Sequence, residues 1–341
     1  MTPTVPPTVP PAVAAARTLI EPVLRRAVAR LDPITARVAR YHLGWADPAG
    51  RPLPAGGKAL RPALAVLSAR AAGGNVERCL PAAAAVELVH AFSLLHDDIM
   101  DGDRMRRHRP AAWTVFGRSE TILAGDALLT LAGEILLEPE PSGLVEAARS
   151  LSLATRSLIA GQGLDLEFER RDDVSLDECL RMSTQKTGSL LACACSIGAL
   201  AVGAPAPLVS GLAGFGAETG LAFQLADDLL GVWGSPEATG KPVLSDLRAR
   251  KKTLPVVAAL TSRTPAGDRL ARLLARSEPL SEADLRDAAR LIDEAGGRAW
   301  AETEAKHRLD VAERHLSDAE MPAEVRAEFL DIALFITSRD H

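Results

Sequence analysis

The sequence predicts an all-α protein, and three observations carry that expectation. Apolar residues recur three and four positions apart through most of the 341 residues, the helix formers Ala, Leu, Arg and Glu dominate, and no stretch sustains a period-two alternation. Taken in order, the periodicity predicts helices over Val13–Arg30, Pro33–Trp45, Ala59–Ala72, Leu80–Met100, Ala112–Leu137, Gly143–Gln162, Ser175–Gln185, Gly188–Val202 and Pro207–Leu230. Five more follow near Thr253–Leu260, Ala266–Ala275, Glu282–Ala295, Arg298–Leu316 and Pro322–Thr337. Pro and Gly mark the longer loops at Asp47–Gly57, Glu138–Ser142 and Gly231–Leu244. The first 12 residues, with five prolines, are expected to form an extended, disordered arm; residues 13–341 are expected to form a single domain, because no composition shift divides them.

Composition excludes several functions. A net charge of −5 rules out a broad cationic surface for nucleic acid. Cys79, Cys179, Cys193 and Cys195 form no CxxC pair and have no zinc-type His spacing, so they are expected to be buried thiols in a reducing cytoplasm. The N-terminus lacks the basic start and apolar run of a signal peptide. Thr187–Ala217 carries no charge, but Pro205 and Pro207 cut it into halves too short to cross a bilayer, so it is expected to form core helices. Gly234–Lys241 resembles a Walker loop, yet five residues separate Gly234 from Gly240 where four are needed, and Pro242 stands where Ser or Thr would bind Mg²⁺. Gly211, Gly214 and Gly216 follow no strand, so they make no dinucleotide fingerprint.

Two acidic boxes remain. In HAFSLLHDDIMDGDRMRRHRP, Asp97, Asp98 and Asp101 close an apolar helix. Asp97 and Asp101 share a face at i and i+4, where like charges repel, and negative charge at a helix C-terminus opposes the macrodipole. A hard divalent cation would offset both costs, and oxygen-only ligands favour Mg²⁺ over zinc. A solvated acidic helix end is the plainer alternative. In LAFQLADDLLG, Gln224, Asp227 and Asp228 close a second apolar helix. Arg106, Arg107 and Arg109 follow the first box, and Lys241, Lys251 and Lys252 the second. Carboxylates that hold Mg²⁺ beside Arg and Lys suit a diphosphate, although a salt-bridged loop would use the same letters.

With these boxes the sequence strongly resembles the trans-isoprenyl diphosphate synthases, the polyprenyl synthetase family. The resemblance covers nearly everything after the arm. Its markers run in the family's order: GGKALRP at Gly56–Pro62, the box at Asp97–Asp101, Arg106 with Arg107, Gly125 with Asp126, and GQGLDL at Gly161–Leu166. Lys186 with Thr187, FQLADD at Phe223–Asp228, Gly240 with Lys241, and KKT at Lys251–Thr253 complete the set. The resemblance implies a bundle of long helices around a deep cavity with the boxes facing each other across its mouth, usually in a homodimer. It implies up to three Mg²⁺ ions, held by Asp97 and Asp101 and by Asp227, with Asp98 also in the catalytic set. Arg106, Lys186, Thr187, Gln224, Asp228 and Lys241 match positions that meet the allylic diphosphate; Lys58, Arg61, His90 and Arg107 match those for isopentenyl diphosphate. The implied partners are these two small molecules, with no nucleic acid and no transmembrane segment. The implied reaction is ionisation, condensation and proton elimination, with the departing diphosphate and no side chain as base. On the residues alone, His90 reads as a core histidine; His96 has no family match and is expected to be structural.

Product length is expected to depend on the helix that bears the first box. At 1.5 Å per residue, Phe92 lies roughly 7.5 Å and Ser93 roughly 6 Å below Asp97, where they are candidate floor residues. An aromatic residue five before the box, with a small one at four, resembles geranylgeranyl diphosphate synthases of archaeal and actinobacterial type. A farnesyl diphosphate synthase is the alternative. A terpene cyclase fits less well with 4% aromatic residues and a single Tyr, and a silent partner subunit would typically lose the first box. Gly231, Ser235 and Leu244 depart from the family's usual Asp, Asp and Gly, which puts the third metal site in question. His108 and Ala111 likewise replace the usual Gly and Thr after the arginine pair.

Overall fold

The computed structural model describes residues 9–53, 59–138, 144–235 and 243–338, and is all-α apart from one miniature hairpin that pairs Met105–Arg106 with Arg109–Pro110. Two long helices carry the acidic boxes at their C-terminal ends, Val76–Met100 and Ala206–Trp233. Both pack on the apolar helix Ser189–Ala201, and the first also lies along Leu60–Ala71 and Arg118–Leu137. The run Ala82–Ala85 is fully buried, and such small side chains let neighbouring backbones come close. Leu88 and Leu95 are fully buried on the same helix, each worth about 1.5–3 kcal/mol.

Several helix boundaries differ from the sequence expectation, for local reasons. The N-terminal helix spans Pro11–Val28, so it starts two residues inside the expected arm, with Pro at its first position, where no N–H is needed. Of the expected arm, residues 1–8 lie outside the described residues. Val76–Met100 starts four residues before the expected Leu80, because the Asn75 side chain accepts the Glu77 N–H at 2.9 Å; Pro81 stands in its second turn. The expected Ala112–Leu137 helix is two, Ala112–Phe116 and Arg118–Leu137, broken at Gly117 with φ +96°. The Gly161 and Gly163 pair does not end its helix, which runs on from Leu144 to Phe168 as Phe168 buries against Val174 and Cys179. Leu176–Ala201 is continuous, because the expected break at Lys186–Thr187 falls within a π-helical turn over Thr184–Gly188. A short helix, Ser245–Arg248, has no counterpart in the sequence reading.

The uncharged stretch after Thr187 folds as two helices with Val202–Pro205 between them, as its prolines require. Among the described residues, only Val76–Met100 is long and apolar enough to cross a membrane, and it is a largely buried helix of the core. The four cysteines are buried and unpaired with one another.

Candidate active site

Three cations converge on the first box, Arg106 from the hairpin that follows it and Lys186 and Lys251 from distant segments. The Asp101 backbone N–H closes the helix on the Asp97 carbonyl at 2.8 Å, leaving its carboxylate to take the Lys251 Nζ at 2.7 Å. Asp98 points into the protein, 1% exposed, and receives the Arg106 guanidinium through Nε at 2.9 Å and through Nη2. Lys186 bonds Asp165 at 2.5 Å; burial opposes its charge, but Asp165, Asp97 and Asp101 together hold its pKa above the ordinary value. Burial pushes Asp97 up to about 6, against the pull of Lys186, with Asp101 adding to the rise.

The hairpin that presents Arg106 turns through Arg107 and His108, both left-handed at φ +52° and +61°. Two successive positive φ values are what a two-residue hairpin loop with the strands' own twist requires. Non-glycine residues there cost roughly 1–2 kcal/mol each, and His108 takes a place where glycine would be strain-free.

The second box is tied to the π-helical turn Thr184–Gly188 through a polar relay. Thr187 Oγ1 donates to Gln224 Oε1 at 2.6 Å, and Gln224 Nε2 donates to Asp228 at 2.7 Å. Asp228 also accepts the Leu254 N–H at 2.9 Å, so it serves the open N-terminus of helix Leu254–Leu260. Burial raises Asp228 to about 8 despite both hydrogen bonds. Asp227, beside it, is exposed. At Gly231 a Cβ would collide with the Asp246 carboxylate, so an acid from a later segment fills the space beside this box. Leu244 adopts φ +62°, a strain of roughly 1–2 kcal/mol, but is 8% exposed and packs in a cluster that includes Val232 and Leu247, which offsets it. Ser235 is exposed.

The residues expected to meet isopentenyl diphosphate form a second group. Arg61, His90 and Arg107 share a field with Glu87, one turn before His90. Burial lowers Arg61 to about 10 and His90 well below the usual range, with Arg61 and Arg107 adding to the fall at His90. Lys58 and Lys241 lie outside the described residues. Phe92 and Ser93 are both buried one turn below the first box, and Ser93 Oγ bonds the His90 carbonyl at 3.0 Å.

Three residues of these groups had no assigned place in the sequence reading. Glu87 carries the only charge between Arg78 and Asp97, a signal that was present. Asp165 sits inside the GQGLDL motif, though only the fold shows Lys186 on it. His42 gave no signal: with Tyr41, Leu53, Arg106, Arg107 and Arg109 it lines a cavity of about 410 Å³. Arg109 clamps that wall by stacking 4.3 Å from the Tyr41 ring centroid and donating to the Ala46 carbonyl at 3.0 Å.

Burial first, then Arg107, Arg106 and Arg109, lower the His42 pKa to about 3. As pH falls, the unfolded chain takes up this proton near 6.5 and the folded one only near 3, so stability is lost across that window. The urea midpoint is therefore expected to drop as pH falls from about 7 to about 5, and to drop less in His42→Gln. Parallel pH curves for the two proteins would contradict the assignment.

Residues 45–292 match the polyprenyl synthetase family. The chain belongs to that family. It is 48% identical to the (2E,6E)-farnesyl diphosphate synthase of Mycobacterium tuberculosis over 95% of this chain and 91% of that one. It is 45% identical to a geranylgeranyl diphosphate synthase of the same organism, over 89% and 87%. Its fold matches the polyprenyl synthetase from Streptomyces coelicolor A3(2) with a TM-score of 0.90 and 51% identity, covering 95% and 98% of the two chains. It also matches a Corynebacterium glutamicum geranylgeranyl pyrophosphate synthase complexed with isoprenyl diphosphate and magnesium, with a TM-score of 0.83 and 28% identity over 97% and 99%. The protein is thus a transferase, a trans-prenyl diphosphate synthase of the all-α isoprenoid synthase fold.

Proposed function

We propose that the protein makes geranylgeranyl diphosphate, adding isopentenyl diphosphate to a dimethylallyl, geranyl or farnesyl diphosphate. The observation that carries the chemistry is the meeting of Arg106, Lys186 and Lys251 at the Asp97–Asp101 turn, which suits a diphosphate and its counter-ions.

The donor set fits magnesium. Asp97 and Asp101 offer hard carboxylate oxygens one turn apart, and a cation would relieve the burial that raises Asp97. Among the described residues no three His, Cys, Asp or Glu side chains converge closely enough to hold an ion by themselves. Such a half-built site suits Mg²⁺, which keeps several waters and takes phosphate oxygens as its other ligands. Asp97 and Asp101 would hold it at the first box and Asp227 at the second. When bound, magnesium supplies the positive charge that offsets the leaving diphosphate.

The chain's own residues do the rest. Arg106, Lys186, Thr187, Gln224 and, in the family's pattern, Lys241 hold the allylic diphosphate; Asp98 keeps Arg106 aimed, and Asp228 does the same for Gln224. Arg61, His90, Arg107 and Lys58 hold isopentenyl diphosphate, so that its double bond waits beside the carbon that ionises. Apolar walls keep water from the cation, and the released diphosphate takes the final proton.

Phe92, buried below the box, is the floor, with Ser93, equally buried, beside it. The 48% identity to a farnesyl diphosphate synthase favours a second reading, a fifteen-carbon product. Mass analysis of the products made from each allylic starter decides between them: geranylgeranyl diphosphate is expected, and farnesyl diphosphate as sole end product would overturn it. Phe92→Ala is expected to lengthen the product by one or more isoprene units, and an unchanged product would remove Phe92 from the floor.

Exposed Ile122, Leu123, Val145, Leu153 and Ile159 on two neighbouring helices support a homodimer, and four buried thiols support a cytoplasmic location. In this reading the chain works as one polyprenyl synthetase domain.

A further inference from the structure

We propose that His96 is a positioning residue for product length: it braces Phe92 against the helix Arg118–Leu137, so that the floor does not yield to the growing chain. This rests on Phe92 being the floor.

His96 follows Phe92 by one turn, and the two rings meet edge to face, with centroids 4.8 Å apart and planes at 68°. A ring contact holds a floor only if its far side is itself fixed. The far side of His96 is fixed: Nε2 lies 3.1 Å from the Ile122 carbonyl oxygen and 3.7 Å from an Asp126 carboxylate oxygen. A carbonyl can only accept, so Nε2 carries the proton and donates. Between these two partners stands Gly125, where a Cβ would collide with Nε2 and lie 2.5 Å from Cδ2. The missing side chain is the socket into which the imidazole fits. Phe92, His96 and the Ile122–Asp126 turn thus form one rigid line from the cavity floor to the neighbouring helix. Prenyl elongation stops when the chain end meets something that does not move, and a lone phenylalanine has other rotamers to move to.

The test compares end-product masses for Phe92→Ala, His96→Ala, His96→Phe and Gly125→Ala, with KM for isopentenyl diphosphate measured alongside. His96→Ala is expected to raise the share of longer product about tenfold, as loss of one edge-to-face ring pair permits, with KM unchanged. Gly125→Ala should do the same from the opposite side by evicting the imidazole; alanine favours a helix over glycine, so this variant should fold even if His96→Ala does not. His96→Phe keeps a ring against Phe92 but loses the Nε2 anchor on the Ile122 carbonyl, so it should lengthen the product less than His96→Ala does. If Phe92→Ala lengthens the product while His96→Ala and Gly125→Ala leave it unchanged, the brace is wrong and the floor stands. If Phe92→Ala changes nothing, the floor reading fails and takes the brace with it. Longer product in His96→Phe equal to that in His96→Ala would also overturn the ring contact as the cause.

Discussion

Asp97→Ala is expected to lower turnover with isopentenyl and farnesyl diphosphates by on the order of 10³-fold, the scale on which a single preorganised electrostatic contact to a developing charge is worth. The same change should not destabilise the metal-free protein. Burial holds the Asp97 carboxyl at about 6, above its unfolded value of 3.8. A raised carboxyl pKa costs stability as pH climbs past 3.8, and the full cost is present above about 6. At pH above 7, removing this carboxylate should therefore raise the melting temperature of the metal-free protein, the relief being on the order of 1–3 kcal/mol. Asp97→Asn, which keeps the volume, separates that charge effect from any small cavity. Two readouts moving in opposite directions mark a residue kept for function at a cost in stability. Near-parent turnover in Asp97→Ala would contradict its place in the site, and a lower melting temperature in Asp97→Asn would contradict the burial account.

How much of this was legible in the sequence depended on how local each feature is. Asp97 and Asp101, or Gln224 and Asp228, reveal themselves because one helical turn separates them and helical spacing is fixed. The ion pair of Lys251 with Asp101 joins residues 150 positions apart, and no periodicity encodes it. Lys186 was visible as part of a motif, but its partner Asp165 lies on another helix. Helix ends were misread where punctuation residues serve packing. The helix expected to end at Gln162 runs on to Phe168, and Gly161 within it admits a neighbouring backbone. Gly117 did break its helix, with a positive φ that glycine tolerates, at the exposed polar run GRSE, which was a signal present in the sequence. His42 stayed hidden because nothing in YHLGW announces that three arginines from the hairpin segment will face it.

Gly161→Ala is expected to cost more activity than any single methyl group would suggest. Gly161 lies on the helix Leu144–Phe168 where it crosses the π-helical turn Thr184–Gly188, and a Cβ there would collide with the Lys186 backbone N and lie 2.8 Å from the Lys186 Cα and 2.9 Å from the Gln185 carbonyl carbon. Backbone, unlike the end of a long side chain, cannot swing aside. One of the two helices must shift, and overpacking of this kind costs about 1–3 kcal/mol. The shift falls on Lys186 and Thr187, one set between Asp165 and the first box, the other bonded to Gln224. A displacement near 1 Å of groups that hold a reacting substrate lowers rate by about 10²-fold. The expected result is thus a protein that folds with a modestly lower melting temperature and turns over about 10²-fold more slowly, with KM for the allylic diphosphate raised and KM for isopentenyl diphosphate little changed. The split between the two Michaelis constants is the decisive reading, because general loosening of the bundle would raise both. Equal rises would mean that Gly161 matters only for packing, and no rise at all would mean that the two helices have slack between them.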